Sequence, residues 1–551
     1  MEKTKKARIR GKRDPKQTEA WILGTGTASL ASAFYLIKHA KVPPRKVHIL
    51  ESCDSLQEIW HHKGDPTSGY DQFAGCLPVP IGEPLKELLS CIPSAFPTTS
   101  RRASFLHAIQ SAEVNRTFAT QVNNTCIVVQ KDGKLQNIVT SSLDLNFKQR
   151  LNLVRFMLKG EGRLGRNHIS DFFPQNFSKL RFGLSGPLIS RNSSRFGLQP
   201  WHSATEFRRA LRHYLGDFHN LSILNCLDIT GYYQFESIFL PICLFLESLD
   251  VDFQFDTKVR AIVTTSNNDT RTISRLELSQ NGFLTHKDLG PHDIVIATLG
   301  STESGAAVGS NDHQPVMLSF DACDQFDENW SLWLTLAPIG KDFGNPYAFC
   351  TRRPQSMVES FTITTKEVNF FNYLTSLSQS TLATGALIVL RESRWKLNLC
   401  IPAQPVFQYQ PEDVRVLWGF AIFPEGIGDY VKKPMLQCSG AEIMTELLKH
   451  LNYPSELVFR HTVNIPRVMP RMSAIILAHS RDERPEVVPR NTSNIGLVGQ
   501  FVEIPQYSCI DMSYAARSAQ MVVSRLMGID IPSAEVKRSL TALLIRILLW
   551  K

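Results

Sequence analysis

Long apolar runs are missing from this sequence. None of its 551 residues sits in an uninterrupted apolar stretch of the roughly 18 that a spanning helix needs, so an integral membrane protein is disfavoured. Paired cysteines are missing as well. The 11 cysteines run from Cys53 to Cys509 with no C-x-x-C, which argues against a disulfide scaffold or zinc cluster and for a reducing, cytoplasmic compartment. No metal-ligand spacing and no Ser/His/Asp order stands out, so no metal is expected. Charge is scarce in the body of the chain. The formal net charge is +9, but residues 1–16 hold eight basic residues and two acids. Six of the nine charges therefore sit in that tail, and a nucleic-acid partner is not implied. The tail has no apolar segment of the secretory kind. It reads as solvated, with a nuclear address or an anionic-membrane contact as alternatives.

What is present fits a globular chain with a large core: 43% hydrophobic, 20% charged, mean hydropathy −0.12. The length suggests several domains or two large ones with insertions. Order begins directly after the tail. Ala20–Leu23 reads as a buried strand, Gly24-Thr25-Gly26-Thr27-Ala28-Ser29 as a glycine turn, and Leu30–Lys41 as a helix. Val47–Leu50 is a second strand ending in Glu51. In this G-x-G-x-x-S pattern Gly24 makes the tight turn and Gly26 lets a pyrophosphate approach the helix start. Ser29 stands where a third glycine would allow close packing. Glu51 is placed to accept from ribose hydroxyls.

Two later stretches repeat the strand-to-glycine signature. Asp293–Ser301 ends in Gly300-Ser301, and Asn494–Val502 carries Gly499 and Phe501 before a helix over Ser513–Met527. Phe253–Val263, containing Val259, alternates like a strand. Together they predict an α/β fold: one FAD-binding, Rossmann-like domain assembled from separated segments. The expected order is a basic tail (1–16), a first FAD-binding segment (17–60), a lid and active-site insertion (61–198), a second FAD-binding segment (199–305), a mixed α+β substrate lobe (306–485), a third FAD-binding segment (486–528) and a C-terminal amphipathic helix (529–551). The cofactor-binding candidates are Gly24, Gly26, Thr27, Ala28, Ser29, Glu51, Gly75, Val259, Gly300, Ser301, Gly499 and Phe501. A flavin oxidoreductase is a weaker alternative, since no second nucleotide motif for NAD(P)H is seen; that counts against a reductase but not an oxidase.

Several stretches carry a family resemblance: AWILGTGTASLASAFYLIKHAK (Ala20–Lys41), GDPTSGY (Gly64–Tyr70), PWHSATEF (Pro200–Phe207), WSLWLTLA (Trp330–Ala337), ESFTITTK (Glu359–Lys366), GDYVKKPM (Gly428–Met435) and GQFVEIP (Gly499–Pro505). In these the chain resembles the fatty acid (oleate) hydratase family, once called myosin-cross-reactive antigens. The resemblance implies FAD, an oleate-like unsaturated fatty acid as substrate, addition of water across its cis double bond, and a homodimer. It implies no net redox change at the flavin.

The catalytic positions depart from that pattern. Leu77 stands where the family has its water-activating Glu, and only Gly75 remains of a flavin-facing glycine pair. Gln57-Glu58 replaces the Gly-Gly after the second strand. The family's protonating Tyr falls in Arg181–Ser203, a lengthened Ser/Arg/Gly-rich stretch with no Tyr, unlike its flanks in composition. Cys400, Pro402 and Val406 occupy the positions of the family's carboxylate-holding polar residues. No catalytic residue can be assigned, and a catalytically degenerate FAD- and lipid-binding relative is the competing reading. Glu83, His61 and His62 read as surface or structural residues. His202 reads as structural, with Ser203 and Glu206 forming a capping box at a helix start. Lys432-Lys433 reads equally as a phosphate contact or a solvated loop. Ser539–Lys551, apolar with Trp550 and basic flanks, suits an interfacial contact with an anionic membrane surface. The alternative is docking of that helix on the body or on a second subunit.

Overall fold

The computed structural model describes residues 11–55, 64–70, 83–93, 125–131, 134–138, 147–173, 198–214, 239–267, 270–316, 326–378, 386–390, 392–402, 404–407, 409–454, 456–510, 512–532 and 540–548. Strands in chain order are β1 (Ala20–Leu23), β2 (Val47–Leu50), β3 (Gly64–Asp65), β4 (Gly69–Tyr70), β5 (Thr125–Lys131), β6 (Lys134–Ile138), β7 (Asp252–Gln254), β8 (Thr257–Asn267) and β9 (Thr270–Gln280). They continue as β10 (Phe283–Asp288), β11 (Ile294–Thr298), β12 (Ala307–Val308), β13 (Val358–Thr365), β14 (Ala386–Leu390), β15 (Leu397–Ile401), β16 (Arg415–Ala421), β17 (Thr462–Met469) and β18 (Ile495–Val498). The principal helices are α1 (Thr27–Lys38), α2 (Glu83–Cys91), α3 (Phe147–Leu158), α4 (Ala204–Tyr214), α5 (Leu240–Ser248), α6 (Glu328–Leu336), α7 (Val368–Leu377), α8 (Gly440–His450), α9 (Met512–Met527) and α10 (Leu540–Leu548).

A five-stranded sheet of order β18-β11-β1-β2-β7 is parallel throughout. Its strands β1, β11 and β18 are short apolar runs buried on both faces, as the inside of a parallel sheet requires. Strands from the start, middle and end of the chain are thus neighbours, as the discontinuous assembly predicts. Between β7 and β11 the chain makes the antiparallel meander β8-β9-β10. Close packing of α9 on β18 depends on Gly496, where a Cβ would stand 2.2 Å from Val522.

The second sheet has eight strands in the order β12-β17-β13-β16-β15-β14-β5-β6. One face packs on α7 and α8 through Phe370, Leu374, Ile443, Leu447 and Trp395. The expected boundaries shift in three places. β5 and β6, inside the 61–198 insertion, extend this second sheet. α6, Phe343 and Phe349, inside 306–485, belong to the core of the parallel-sheet lobe. The end of the expected free tail is anchored: Arg13 donates to Leu526 O at 3.0 Å and to Ser493 O at 2.9 Å.

The C-terminal helix docks on the body, the alternative held beside the membrane reading. Leu540, Leu544, Ile547 and Leu548 of α10 pack against the main core, and Arg150 of α3 donates to Leu548 O at 3.3 Å. Ile545 remains half-exposed. Among the described residues no helix is long and apolar enough to cross a membrane. Cys53, Cys91, Cys243, Cys350, Cys400, Cys438 and Cys509 are free thiols.

Candidate functional site

The glycine turn after β1 has the geometry of an anion cradle. Gly24 adopts φ +88°, in the left-handed region, and its N–H donates to Leu50 O at 2.8 Å. Gly26 is the N-cap of α1 and supplies no side-chain cap. The first N–H groups of α1, those of Thr27, Ala28 and Ser29, therefore have neither an intrahelical partner nor a capping side chain. A Cβ placed on Gly26 meets nothing within 4 Å, so space is open in front of these donors. Uncapped donors at a helix N-terminus with room before them fit a pyrophosphate.

Glu51 closes the far side of the turn. Its Oε2 accepts from Thr25 Oγ1 at 2.6 Å and its Oε1 from Ser52 N at 2.9 Å. The carboxylate is held in place and keeps lone pairs for further donors, as a ribose-binding acid requires. Ser29 sits at the contact between α1 and the parallel sheet. It is fully buried, and its hydroxyl bonds Leu23 O at 3.3 Å and Thr298 Oγ1 at 3.0 Å, tying α1 to β1 and β11.

The later candidates converge on the same end of the sheet. Gly300, at φ +65°, could not carry a side chain: a Cβ would lie 2.7 Å from the Phe501 ring. Phe501 is 1% exposed and packs among Trp330, Trp333 and Phe349. It shapes the Gly300 turn from inside the core, which is a different task from the direct contact expected of it. Ser301 O accepts from Trp330 Nε1 at 2.8 Å. Gly499, at φ +102°, donates to Ser518 Oγ at 3.0 Å. Val259 is half-buried at a bulge in β8, whose first residue Thr257 donates to Glu51 O at 2.8 Å. Gly75 lies outside the described residues.

One element went unassigned in the sequence. The start of α6 sits over the turn, with Asn329 Oδ1 3.9 Å from a Cβ placed on Gly24 and Asn329 O accepting from Gly300 N at 3.3 Å. Glu328 is pushed above the usual carboxylate range by burial, against an ion pair with Lys258 at 3.1 Å. The two tryptophans of this helix, Trp330 and Trp333, are buried in the core. The polar residues that precede them gave no signal.

The second sheet presents a buried face of mixed polar and apolar residues. Its face away from α7 and α8 carries Ser360, Thr362 and Thr364 on β13, Asn398 and Cys400 on β15, and Trp418 and Phe420 on β16, all buried. Asn398 Oδ1 is buried with no hydrogen-bond partner. The GDPTSGY loop lies against this face. Tyr70 N donates to Thr364 Oγ1 at 3.0 Å, and the Tyr70 ring stacks on Phe407 at 4.3 Å. Gly69 is required there, because a Cβ would stand 2.7 Å from Val463.

Sequence comparison decides the assignment. A match to the MCRA family spans residues 17–524. The chain belongs to the MCRA family. It is 28% identical over 528 residues to an oleate hydratase of Streptococcus pyogenes, covering 92% of this chain and 85% of that one. It is 25% identical over 559 residues to a linoleate hydratase of Lactiplantibacillus plantarum, covering 94% of each. Among solved structures, an oxidoreductase from Methanosarcina mazei aligns over 91% of this chain and 100% of its own at 11% identity and TM-score 0.48, too weak a likeness to bear on chemistry.

In this MCRA protein Cys400, Pro402 and Val406, the departures read in the sequence, are all buried. Cys400 clusters with Trp418 and Phe420, and Val406 with Tyr70, Phe407, Val414 and Val416. Pro402 is buried beside them. Leu77, Gln57, Glu58, His61, His62 and Arg181–Arg195 lie outside the described residues, as does the side chain of Glu83.

The PWHSATEF segment resolves as structure. His202 Nδ1 accepts from Gln199 N at 2.8 Å, and its Nε2 lies 3.2 Å from Gln355 O. Burial pushes this imidazole down to about 4, so it is neutral at ordinary pH. Only half of the expected capping box forms. Glu206 N donates to Ser203 Oγ at 3.3 Å, but the Glu206 carboxylate turns inward to Arg209 and Arg484, each at 3.0 Å. Two buried guanidiniums outcompete one backbone N–H for that carboxylate. Lys433 pairs with Glu442 at 2.7 Å and Lys432 donates to Asp429 O, so both lysines have internal partners.

Proposed function

We propose that this MCRA protein binds FAD on the Gly24–Ser29 turn and takes an oleate-like unsaturated fatty acid, adding water to its cis double bond to give a hydroxy fatty acid. The uncapped start of α1 beside Glu51, at the switch point of a five-stranded parallel sheet, carries the flavin half of this reading. The hydratases among its relatives support the lipid half. Bound there, the flavin would organise the site and stabilise charge. The α1 N–H groups would hold its pyrophosphate and Glu51 its ribose. The Ser360–Cys400–Trp418 face, closed by Tyr70, would take the acyl chain. Ser539–Lys551 would bring the protein to an anionic lipid surface, with Ile545 as the exposed apolar contact.

Hydration needs an acid to protonate the alkene and a base to deprotonate water. Cys400, Pro402 and Val406 supply neither a carboxylate clamp nor a base. That observation favours a second reading, an FAD- and lipid-binding relative without turnover. One experiment separates the two. The purified protein is examined for flavin absorbance and incubated with oleate, and hydroxystearate is followed by mass spectrometry. Flavin with product supports the hydratase, flavin without product supports the degenerate relative, and absence of flavin overturns both.

A further inference from the structure

A cluster remote from the dinucleotide turn is built from Asp429, Glu446 and His450. Glu446 and His450 stand one turn apart on α8, and the loop before α8 folds back over them. The Glu446 carboxylate is fully buried and clamps that loop. Its Oε1 accepts from Asp429 N at 2.6 Å, and its Oε2 accepts from Tyr430 N at 2.8 Å and Val431 N at 2.9 Å. Asp429 is oriented by Arg394, whose backbone N–H donates to Oδ2 at 2.9 Å and whose Nε lies 3.1 Å from Oδ1. The Tyr430 ring packs edge-on to the imidazole of His450 at 5.0 Å.

His450 is the unusual member. It is 8% exposed, and its Nε2 makes no well-aligned hydrogen bond, only close contacts with two carboxylates. That nitrogen is aimed between two carboxylates, 3.3 Å from Asp429 Oδ2 and 3.3 Å from Glu446 Oε1. The three atoms lie within 4.8 Å of one another. A buried polar atom left unpaired costs about 1–3 kcal/mol. A tetrahedral cation with bonds of roughly 2.0–2.2 Å sets its ligands about 3.3–3.6 Å apart, which matches the two nitrogen–oxygen separations. Oδ2 and Oε1 each accept one backbone N–H, which leaves each a lone pair. Two carboxylates and a neutral imidazole balance a divalent charge. The Asp429 side chain is 24% exposed, which opens the cluster to solvent.

We propose that Asp429, Glu446 and His450 form a three-ligand site for a borderline divalent cation, zinc or manganese, with a further position open to water. The donor set of one nitrogen and two oxygens, without thiolate, selects this class over copper(I). The arrangement of Arg394 on Asp429 and backbone N–H groups on Glu446 is the outer support that metal-binding carboxylates use. Binding would lock the loop onto α8. No metal pattern stood out in the sequence because Asp429 precedes Glu446 by 17 residues.

The full-length protein, stripped with a chelator and dialysed against zinc or manganese chloride, is assayed for retained metal and for its thermal midpoint. The wild type is expected to retain about one equivalent more than either Asp429→Asn or His450→Gln. Metal should raise its midpoint, and each variant should bind at least tenfold more weakly with no such rise. Asp429→Asn changes a partly exposed loop residue, and circular dichroism of the metal-free proteins verifies that both variants fold. Equal retention by all three proteins overturns the proposal. So does a His450 nitrogen resonance showing an imidazolium, shared between the two carboxylates, at neutral pH with metal present.

Discussion

Replacing Glu206 by glutamine removes one charge and almost no volume from the centre of a buried network. Glu206 is 0% exposed. Its Oε1 accepts from Arg209 and Arg484, and its Oε2 accepts from Cys509 Sγ at 3.1 Å. Arg209 continues to Glu161 at 2.8 Å and Glu503 at 2.6 Å. Burial works against the Glu206 charge, but Arg484 and Arg209 outweigh it and bring the carboxyl from 4.5 down to about 2. At 1.36 kcal/mol per pH unit this is about 3 kcal/mol of folded-state stability. Rupture of a buried pair by loss of one partner falls in the same range, about 3–5 kcal/mol. Because the folded value lies below the unfolded one, the contribution is fully present above about pH 4.5. It is lost as pH falls towards 2. Glu206→Gln should therefore unfold at lower urea than wild type at pH 7, by about 3 kcal/mol in tryptophan fluorescence, which reports on Trp330 and Trp333 in the adjoining core. The gap should hold from pH 7 to about 5 and narrow below 4.5. A gap under about 1 kcal/mol at pH 7, or one that does not narrow in acid, would refute the assignment of Glu206 as the ionised hub.

Gly26→Ala should leave the flavin-free protein within about 0.5 kcal/mol of wild type, since the new methyl meets no neighbour, yet cut flavin retention about tenfold. Unchanged flavin absorbance would contradict a pyrophosphate at that turn. The His202 imidazole, pushed down to about 4, should stay neutral from pH 8 to 5 in nuclear magnetic resonance titrations. A midpoint above 6 would return it to the list of catalytic candidates. Deleting residues 539–551 removes Ile547, which is 1% exposed, from the core and should lower stability by at least about 2 kcal/mol in thermal melts. An unmoved melting midpoint with lost binding to anionic vesicles would instead make α10 a membrane contact alone.

The glycine turn after β1 was legible because its determinants are local. Apolar β1, glycines at 24 and 26, α1 and Glu51 follow one another, and each acts on its neighbours. Even the joining of distant segments was legible, since β11 and β18 are too apolar to lie anywhere but inside the same parallel sheet. Charged side chains were not legible in the same way. The S-x-x-E pattern at Ser203–Glu206 correctly marks a helix start, yet the carboxylate answers to Arg484, 278 residues further on. Glu446 and His450 likewise look like ordinary polar residues of an amphipathic helix until Asp429 folds over them. Local rules determine where a charged residue's backbone runs, and tertiary contacts determine its partner. The same reasoning bears on the departures at Cys400, Pro402 and Val406. Cys400 is in register with Trp418 and shares a buried face with Phe420, Asn398 and Thr362. What a polar residue at Cys400 would meet is likewise set by tertiary neighbours, among them Asn398, whose buried Oδ1 has no hydrogen-bond partner.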